Sequence, residues 1–113
     1  MDKLDRYREY IKAILHRYSQ YKPSYGDVEM EYVIDPEKDH YHLLTIGWKG
    51  YERIHGTVLH IDIKDGKIWI QHNGTEEHIA NTLVDMGVPK EDIVLAFHAP
   101  YKRHLTGFAT GLS

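Results

Sequence analysis

Apolar residues recur along the chain with two different periods, and the change from one period to the other outlines the fold. Over residues 2–20 they fall three or four positions apart with charged residues between them, which is the pattern of an amphipathic helix. Its apolar positions are Leu4, Tyr7, Ile11, Ile14 or Leu15, and Tyr18. Asp2 is suited to cap the start of this helix, and Pro23 and Gly26 predict that it ends before them.

After this helix the period shortens to two, as expected of half-buried β-strands. Alternating segments at about 28–35, 40–48, 52–63 and 67–72 are joined by short turns, so they predict a four-stranded antiparallel meander. Within the third strand the apolar phase changes parity around Gly56. A β-bulge at this glycine would bring the two halves of the strand into one sheet.

The turn between the third and fourth strands carries the strongest local signal in the chain. Asp65-Gly66 between two alternating runs favours a two-residue hairpin with positive φ at both residues, and such a turn sets the strand register. The opposed pairs are then Lys64 with Lys67, Ile63 with Ile68, Asp62 with Trp69, Ile61 with Ile70, His60 with Gln71, and Leu59 with His72. One face of this ribbon carries Leu59, Ile61, Ile63, Ile68, Ile70 and His72, and the other carries His60, Asp62, Lys64, Lys67, Trp69 and Gln71.

A second helix is predicted over residues 76–86, with Thr75 as its N-cap, two glutamates in its first turn and Gly87 just past its end. The segment 90–98, KEDIVLAFH, is either a fifth strand or buried extended chain, and the tail from Pro100 is rich in glycine and threonine. The fold class is therefore α+β, with an N-terminal helix, a four-stranded antiparallel meander, a C-terminal helix and a short apolar tail segment. We expect a single domain over residues 1–113.

The amino-acid composition excludes some classes of function and disfavours others. The 113 residues include no cysteine, which excludes disulfides and thiolate chemistry, and the net charge of −3 is unlike that of a stand-alone DNA-binding domain. Residues 1–22 carry six Lys or Arg against three acids, whereas residues 27–39 carry six acids against one lysine. No apolar run is long enough to span a membrane and the first residues are charged, so we expect a cytoplasmic protein.

The histidines and acids of residues 60–78 suggest a metal or catalytic site, but their predicted placement argues against both. His60 and Asp62 share one face of the ribbon, His72 lies on the other face, and His78 begins a helix, so these ligands should not converge. We expect no bound metal, no cofactor and no enzymatic activity. A hydrolase that uses His60, His72 and His98 is a less favoured alternative.

One ribbon face places a tryptophan among polar side chains, as protein interfaces often do. The candidate interface residues are His60, Asp62, Trp69, Gln71, Trp48 and Tyr51. Nine tyrosines and two tryptophans are many for this length and favour a homodimer or a protein partner. The alternative is that the N-terminal helix covers this face.

A second candidate surface is the segment 97–108, where aromatic rings alternate with basic residues. Stacking rings and positive charges suit single-stranded nucleic acid, and the candidate residues are Tyr101, Lys102, Arg103 and His104. Two permanent charges make few phosphate contacts, so we expect weak binding at most. A packed C-terminal tail explains the same residues.

Several stretches of the chain together resemble the XisI family, the fdxN-element excision controlling factor proteins of cyanobacteria. They are MDKLDRYREYI, PSYGDVE, GWKG, PYKR and the long block HIDIKDGKIWIQHNGTEEHIANTLVDMGVPKEDIVLAFH. The resemblance implies an accessory protein for programmed DNA rearrangement in heterocyst-forming species, acting with a XisH-type partner and a site-specific recombinase. It implies no catalytic residue.

These observations lead to one functional hypothesis. The chain is expected to be a regulatory factor that acts by protein–protein binding with a XisH-type partner and the recombinase, as a homodimer and without a membrane. DNA contact would be indirect or weak. The alternative is a direct nucleic-acid-binding module.

Overall fold

Two α-helices and one five-stranded sheet make up the part of the chain that the computed structural model describes, residues 2–21 and 26–111. The helices are α1, Lys3–Ser19, and α2, Ile79–Met86. The strands are β1, Asp27–Asp35; β2, His40–Lys49; β3, Glu52–Lys64; β4, Lys67–Asn73; and β5, Ile93–Leu95. Short 3₁₀ helices cover Lys90–Asp92 and Pro100–Leu105. Neither α-helix is long and apolar enough to cross a membrane.

Helix α1 forms as its period predicts. Asp2 caps it, with a side-chain oxygen 2.9 Å from the backbone nitrogen of Asp5. The predicted apolar stripe is buried almost throughout, at Tyr7, Ile11, Ile14, Leu15 and Tyr18. The predicted stop signal at Pro23 lies outside the described residues.

The sheet confirms the antiparallel meander and adds a strand to it. The strand order is β1-β2-β3-β4-β5; the first four strands are antiparallel, and β5 runs parallel to β4. The predicted four-stranded antiparallel sheet is therefore a five-stranded mixed sheet. The three residues of β5 follow the α2 crossover, and such a short apolar run carries no local sign of its direction.

The β3–β4 hairpin turns at Asp65-Gly66 with φ of 53° and 76°, as predicted. Its register is also as predicted from the turn up to the pair of Ile61 with Ile70. Beyond that pair the register shifts, so that His60 opposes His72 and not Gln71. The prediction for the last two pairs, His60 with Gln71 and Leu59 with His72, is therefore wrong, because one extra residue of β4 is accommodated there.

A second irregularity lies between β2 and β3, near the place that the change of apolar phase indicated. Leu43 opposes Leu59 and Leu44 opposes Thr57, which leaves Val58 as the extra residue. The bulge thus falls at Val58, two positions after Gly56. From the next residue onward, Leu59, Ile61 and Ile63 point into the core.

Helix α2 begins at Ile79, later than predicted, because the preceding residues make a different local structure. The side chain of Asn73 accepts hydrogen bonds from the backbone N–H of Thr75 at 2.9 Å and from its hydroxyl at 2.6 Å. The Thr75 hydroxyl therefore caps no helix, and Glu76 and Glu77 precede α2 instead of filling its first turn. The predicted stop is correct, since Gly87 closes the helix at φ of 115°.

Both helices pack on the same face of the sheet. The core on this inner face joins the buried stripe of α1 to strand residues and to α2; its strand and α2 members are Tyr41, Leu43, Leu59, Ile61, Ile63, Ile68, Ile70, Ile79, Ala80, Leu83, Ile93 and Leu95. The C-terminal segment, residues 100–111, pairs with the free edge of β5, where Ala109 bridges to Val94, and its Arg103 and Gly111 lie against Trp69 on the opposite, outer face. The outer face of β1, β2 and β3 has no helix over it in the described part of the chain.

Candidate functional site

The uncovered part of the outer face carries a group of histidine, aspartate and aromatic side chains that could bind a ligand or a partner. Strand alternation sends Tyr41 and Leu43 into the core and their neighbours outward, and β3 follows the same rule from its bulge onward. We call these outward residues the open face; they include Val33, His40, His42, Leu44, Ile46, Trp48, His60 and Asp62.

Two histidines converge on one carboxylate at the centre of this face. Strand pairing places His40 directly opposite Asp62, and His60 lies two residues before Asp62 on the same side of β3. The His40 Nδ1 and His60 Nε2 atoms each lie 2.8 Å from the same Asp62 oxygen, Oδ1. We call these three residues the His–Asp cluster.

Two neighbours support the His–Asp cluster from outside. Gln71 on β4 donates from its Nε2 to the other Asp62 oxygen, Oδ2, at 3.3 Å. His42 stacks on His60, with ring centroids 3.9 Å apart and planes 25° from parallel. Burial lowers the pKa of His42 below the ordinary histidine value, and the nearby His60 adds to this effect.

The His–Asp cluster opens to solvent on one side. The side chain of Asp62 is 13% exposed, whereas that of His40 is 47% exposed. One donor atom from each of the three residues lies within 4.8 Å of the other two. Two imidazoles and a carboxylate at this spacing can act as hydrogen-bonding partners or as ligands of a divalent metal ion.

The predicted separation of His60 and Asp62 from His72 and His78 is present in the structure. What the prediction lacked is His40 of β2, which joins His60 and Asp62 as a third possible ligand. His72 and His78 remain apart from them; His72 is exposed on β4, and His78 stacks on the ring of Phe108.

His40 and His42 form an H-x-H pattern on β2, which could have indicated a second pair of outward histidines. The β2–β3 register brings them beside His60 and Asp62. Because that register shifts between Leu43 and Leu44, it cannot be obtained by counting residues back from the turn between the two strands.

Trp69 is placed differently from either prediction. It lies on the outer face but is only 8% exposed, because the C-terminal segment covers it. Its indole N–H donates to the Lys64 carbonyl at 3.0 Å, and the Arg103 guanidinium lies 5.6 Å from its ring centroid. Gly111 is so close that an added Cβ would collide with the ring. The alternative that the N-terminal helix covers this face is wrong, since α1 packs on the inner face.

Of the other interface candidates, Trp48 and Tyr51 lie toward the far end of the open face, whereas Gln71 lies beside the His–Asp cluster. Trp48 is 50% exposed and carries the Arg53 guanidinium 5.2 Å from its ring centroid. Tyr51 is fully exposed in the turn between β2 and β3. Gln71 is half-buried beside Asp62.

Of the nucleic-acid candidates, Arg103 has an internal structural role. It is buried, and its guanidinium donates to the carbonyl oxygens of Ala96, His98 and Thr110 at 3.0–3.3 Å. It holds the C-terminal segment against the sheet.

The other three nucleic-acid candidates are Tyr101, Lys102 and His104, and all three are exposed. Among them Lys102 alone has a permanent positive charge, and its ammonium group lies 5.8 Å from the Tyr101 ring centroid.

The fold places both helices on one face of a mixed sheet and leaves part of the opposite face open. This arrangement defines the class, a small α+β protein whose polar and aromatic side chains gather on an uncovered sheet surface. The chain belongs to the XisI family, whose model, described as XisI protein, matches residues 1–110.

Two solved structures from Anabaena variabilis ATCC 29413 are similar to this chain. A XisI-like protein is 48% identical, with a TM-score of 0.89 over 95% of this chain and 98% of its own. The fdxN element excision controlling factor XisI is 37% identical, with a TM-score of 0.84 over 97% of this chain and 100% of its own. The comparison with curated proteins finds no match. The family resemblance expected from the sequence is confirmed, and with it a family named for excision control, a regulatory role.

Proposed function

We propose that this protein is a regulatory factor for the excision of a DNA element of the fdxN type, and that it acts by binding proteins. A XisH-type protein and the site-specific recombinase are the proposed partners. Support comes from family membership and from the 37% identical XisI, which is named as an excision controlling factor.

The observation that carries the binding mechanism is the open face. It combines an exposed tryptophan, exposed Val33, half-buried Leu44 and Ile46, and the His–Asp cluster on one continuous sheet surface. Protein interfaces have aromatic and apolar anchors inside a polar rim. A rigid sheet also holds such anchors in place before the partner arrives, which lowers the entropic cost of binding.

Direct DNA binding is the second candidate, and the charges weigh against it. Strand β1 is the exposed edge of the sheet and carries four acids, Asp27, Glu29, Glu31 and Asp35, which repel phosphates. The buried Arg103 is directed at carbonyl oxygens, so the C-terminal segment offers few charges to a nucleic acid. We therefore place the protein partner first.

Co-purification with a XisH-type protein tests the proposal. The informative variant is Trp48→Ala, because this ring is 50% exposed on the open face. Its matched control is Phe97→Ala, a ring that is 49% exposed outside that face. We expect Trp48→Ala to weaken the complex at least ~10-fold, as for an interface anchor, and Phe97→Ala to leave it unchanged.

The same proteins can be titrated with fluorescent single-stranded and double-stranded DNA at two salt concentrations. Absence of a complex with a XisH-type protein or the recombinase, together with salt-dependent DNA binding lost in Lys102→Ala, would favour the nucleic-acid function instead. Equal loss of the complex in both aromatic variants would show that the open face is not the docking surface.

A further inference from the structure

We propose that His40, His60 and Asp62 form a binding site for one divalent transition-metal ion, with zinc as the expected ion. The site goes beyond the proposed regulatory function and does not depend on it.

The three side chains are close enough to share one metal ion. One donor atom from each residue lies within 4.8 Å of the other two, and the two nitrogens lie 2.8 Å from one carboxylate oxygen. A tetrahedral zinc ion with bonds of about 2.1 Å keeps its ligand atoms roughly 3.4 Å apart. Each imidazole nitrogen therefore needs to retreat from the oxygen by only about half an ångström, which small side-chain rotations provide.

The donor atoms are of the types that transition metals prefer. Two imidazoles and one carboxylate suit zinc and its first-row neighbours, whereas calcium and magnesium prefer oxygen atoms alone. A single metal ion would take the place of the protons by which both imidazoles bond to Asp62 Oδ1. Three protein ligands leave further coordination positions, which face solvent beside the exposed ring of His40.

The surrounding residues hold the three ligands in place. All three residues stand on paired strands and not on loops, so their backbones are held by the sheet ladder. Gln71 orients the carboxylate through its second oxygen, and stacking of His42 restrains the ring of His60. Such outer contacts fix ligand orientation in metal sites.

The test is calorimetric titration of the full chain with zinc chloride, after treatment with a chelator and its removal. We expect one equivalent of zinc to bind per chain. His40→Ala and Asp62→Asn should each weaken binding at least ~10-fold, because each removes one of three ligands. The matched control is His55→Ala, an exposed histidine of β3 that pairs with Ile46 outside the cluster.

Cobalt gives a second measurement that does not depend on heat. Co²⁺ bound by the wild type should show visible absorption bands of low-symmetry coordination, which zinc displaces and which Asp62→Asn loses. Circular dichroism of each variant confirms that it is folded, and His60→Ala replaces any variant that is not.

Three results would overturn the proposal. They are no saturable zinc binding by the wild type, unchanged binding in folded Asp62→Asn and His60→Ala, or an equal loss in His55→Ala. Because the titration uses the isolated chain, its outcome is separate from that of the partner experiment, which is repeated with chelator present.

Discussion

Asp39 stands in the turn between β1 and β2 in a left-handed backbone conformation, with φ of 56°. Its carboxylate accepts hydrogen bonds from Arg8 Nε and from the Tyr41 hydroxyl, both at 2.9 Å. The bond from Arg8 is the main reason that the pKa of Asp39 lies below the ordinary carboxyl value. One turn residue thus ties helix α1 to the start of β2.

This contact predicts a specific acid sensitivity. A carboxyl with a lowered folded-state pKa stabilises the fold above its unfolded pKa of about 3.9 and loses that contribution as the pH falls through the folded value. Asp39→Asn keeps a residue that tolerates positive φ but removes the charge. Urea unfolding should show a smaller loss of stability between pH 6 and pH 3 for this variant than for the wild type.

The matched control is Glu9→Gln, which removes an exposed pair with Lys12. It should follow the wild-type pH dependence. An Asp39→Asn variant that loses as much stability in acid as the wild type would contradict the role assigned to Arg8.

Trp69 gives the second prediction at this scale. It is enclosed by the C-terminal segment and hydrogen-bonded to Lys64, so Trp69→Ala should lower the free energy of unfolding by ~3 kcal/mol or more. Self-association, measured on the folded variant, should not change. The exposed Trp48→Ala should alter the free energy of unfolding by less than ~0.5 kcal/mol. Thermal and urea unfolding of both variants checks this, and a near-neutral Trp69→Ala would show that the segment does not cover the ring.

At the scale of elements, the β3–β4 hairpin depends on its turn. Gly66 has φ of 76°, which a β-branched residue resists, so Gly66→Val should cost more than ~1 kcal/mol of stability. Gly56 is a useful control, because it lies inside β3 outside the positive-φ region and a Cβ added there meets no atom within 4 Å. Gly56→Val should be neutral or stabilising. Equal melting temperatures for the two variants would contradict the assigned turn.

The C-terminal segment shows how an element without regular structure can complete a fold. Its anchor is Arg103, whose guanidinium satisfies three backbone carbonyls. The pattern of rings and basic residues in this segment is also typical of a nucleic-acid surface. Only the direction of the guanidinium separates the two interpretations, and that direction follows from the packing of the segment on β4 and β5.

At the scale of the whole molecule, both helices pack on one face of the sheet. In an isolated chain, the open face on the other side is therefore exposed to water. In the absence of a protein partner, a homodimer through the open face would cover it, since two-fold dimers are the commonest soluble assemblies; a partner bound there would compete with the second copy. We expect sedimentation velocity at several concentrations to show a dimer in equilibrium with monomer.

The variant for this prediction is Val33→Asp, which adds a charge at a side chain that is 52% exposed and so costs the monomer little. It should shift the equilibrium toward monomer, because a buried unpaired charge at an interface is costly. Leu105→Asp, on an exposed residue outside the open face, should have no effect. A wild type that stays monomeric at high concentration would contradict self-association, and association unchanged by Val33→Asp would place it elsewhere.

Much of this architecture follows from short stretches of sequence. The three- and four-residue spacing of α1, the alternation of β1 to β4 and the Asp65-Gly66 turn each express a preference of a few neighbouring residues. Those preferences agree with the final fold, so helix, strands and hairpin were predictable. Where two local preferences competed, as for Asn73 and Thr75 ahead of α2, the sequence pattern favoured the wrong one.

The sheet direction of β5, the cover over Trp69 and the His–Asp cluster were decided by tertiary structure. His40 and Asp62 are 22 residues apart, and their contact requires a strand register that includes a bulge. Side-chain period states which residues share a face of one strand, but not which strands become neighbours or what covers them. Those choices depend on how the whole chain buries its apolar surface, which is a long-range property.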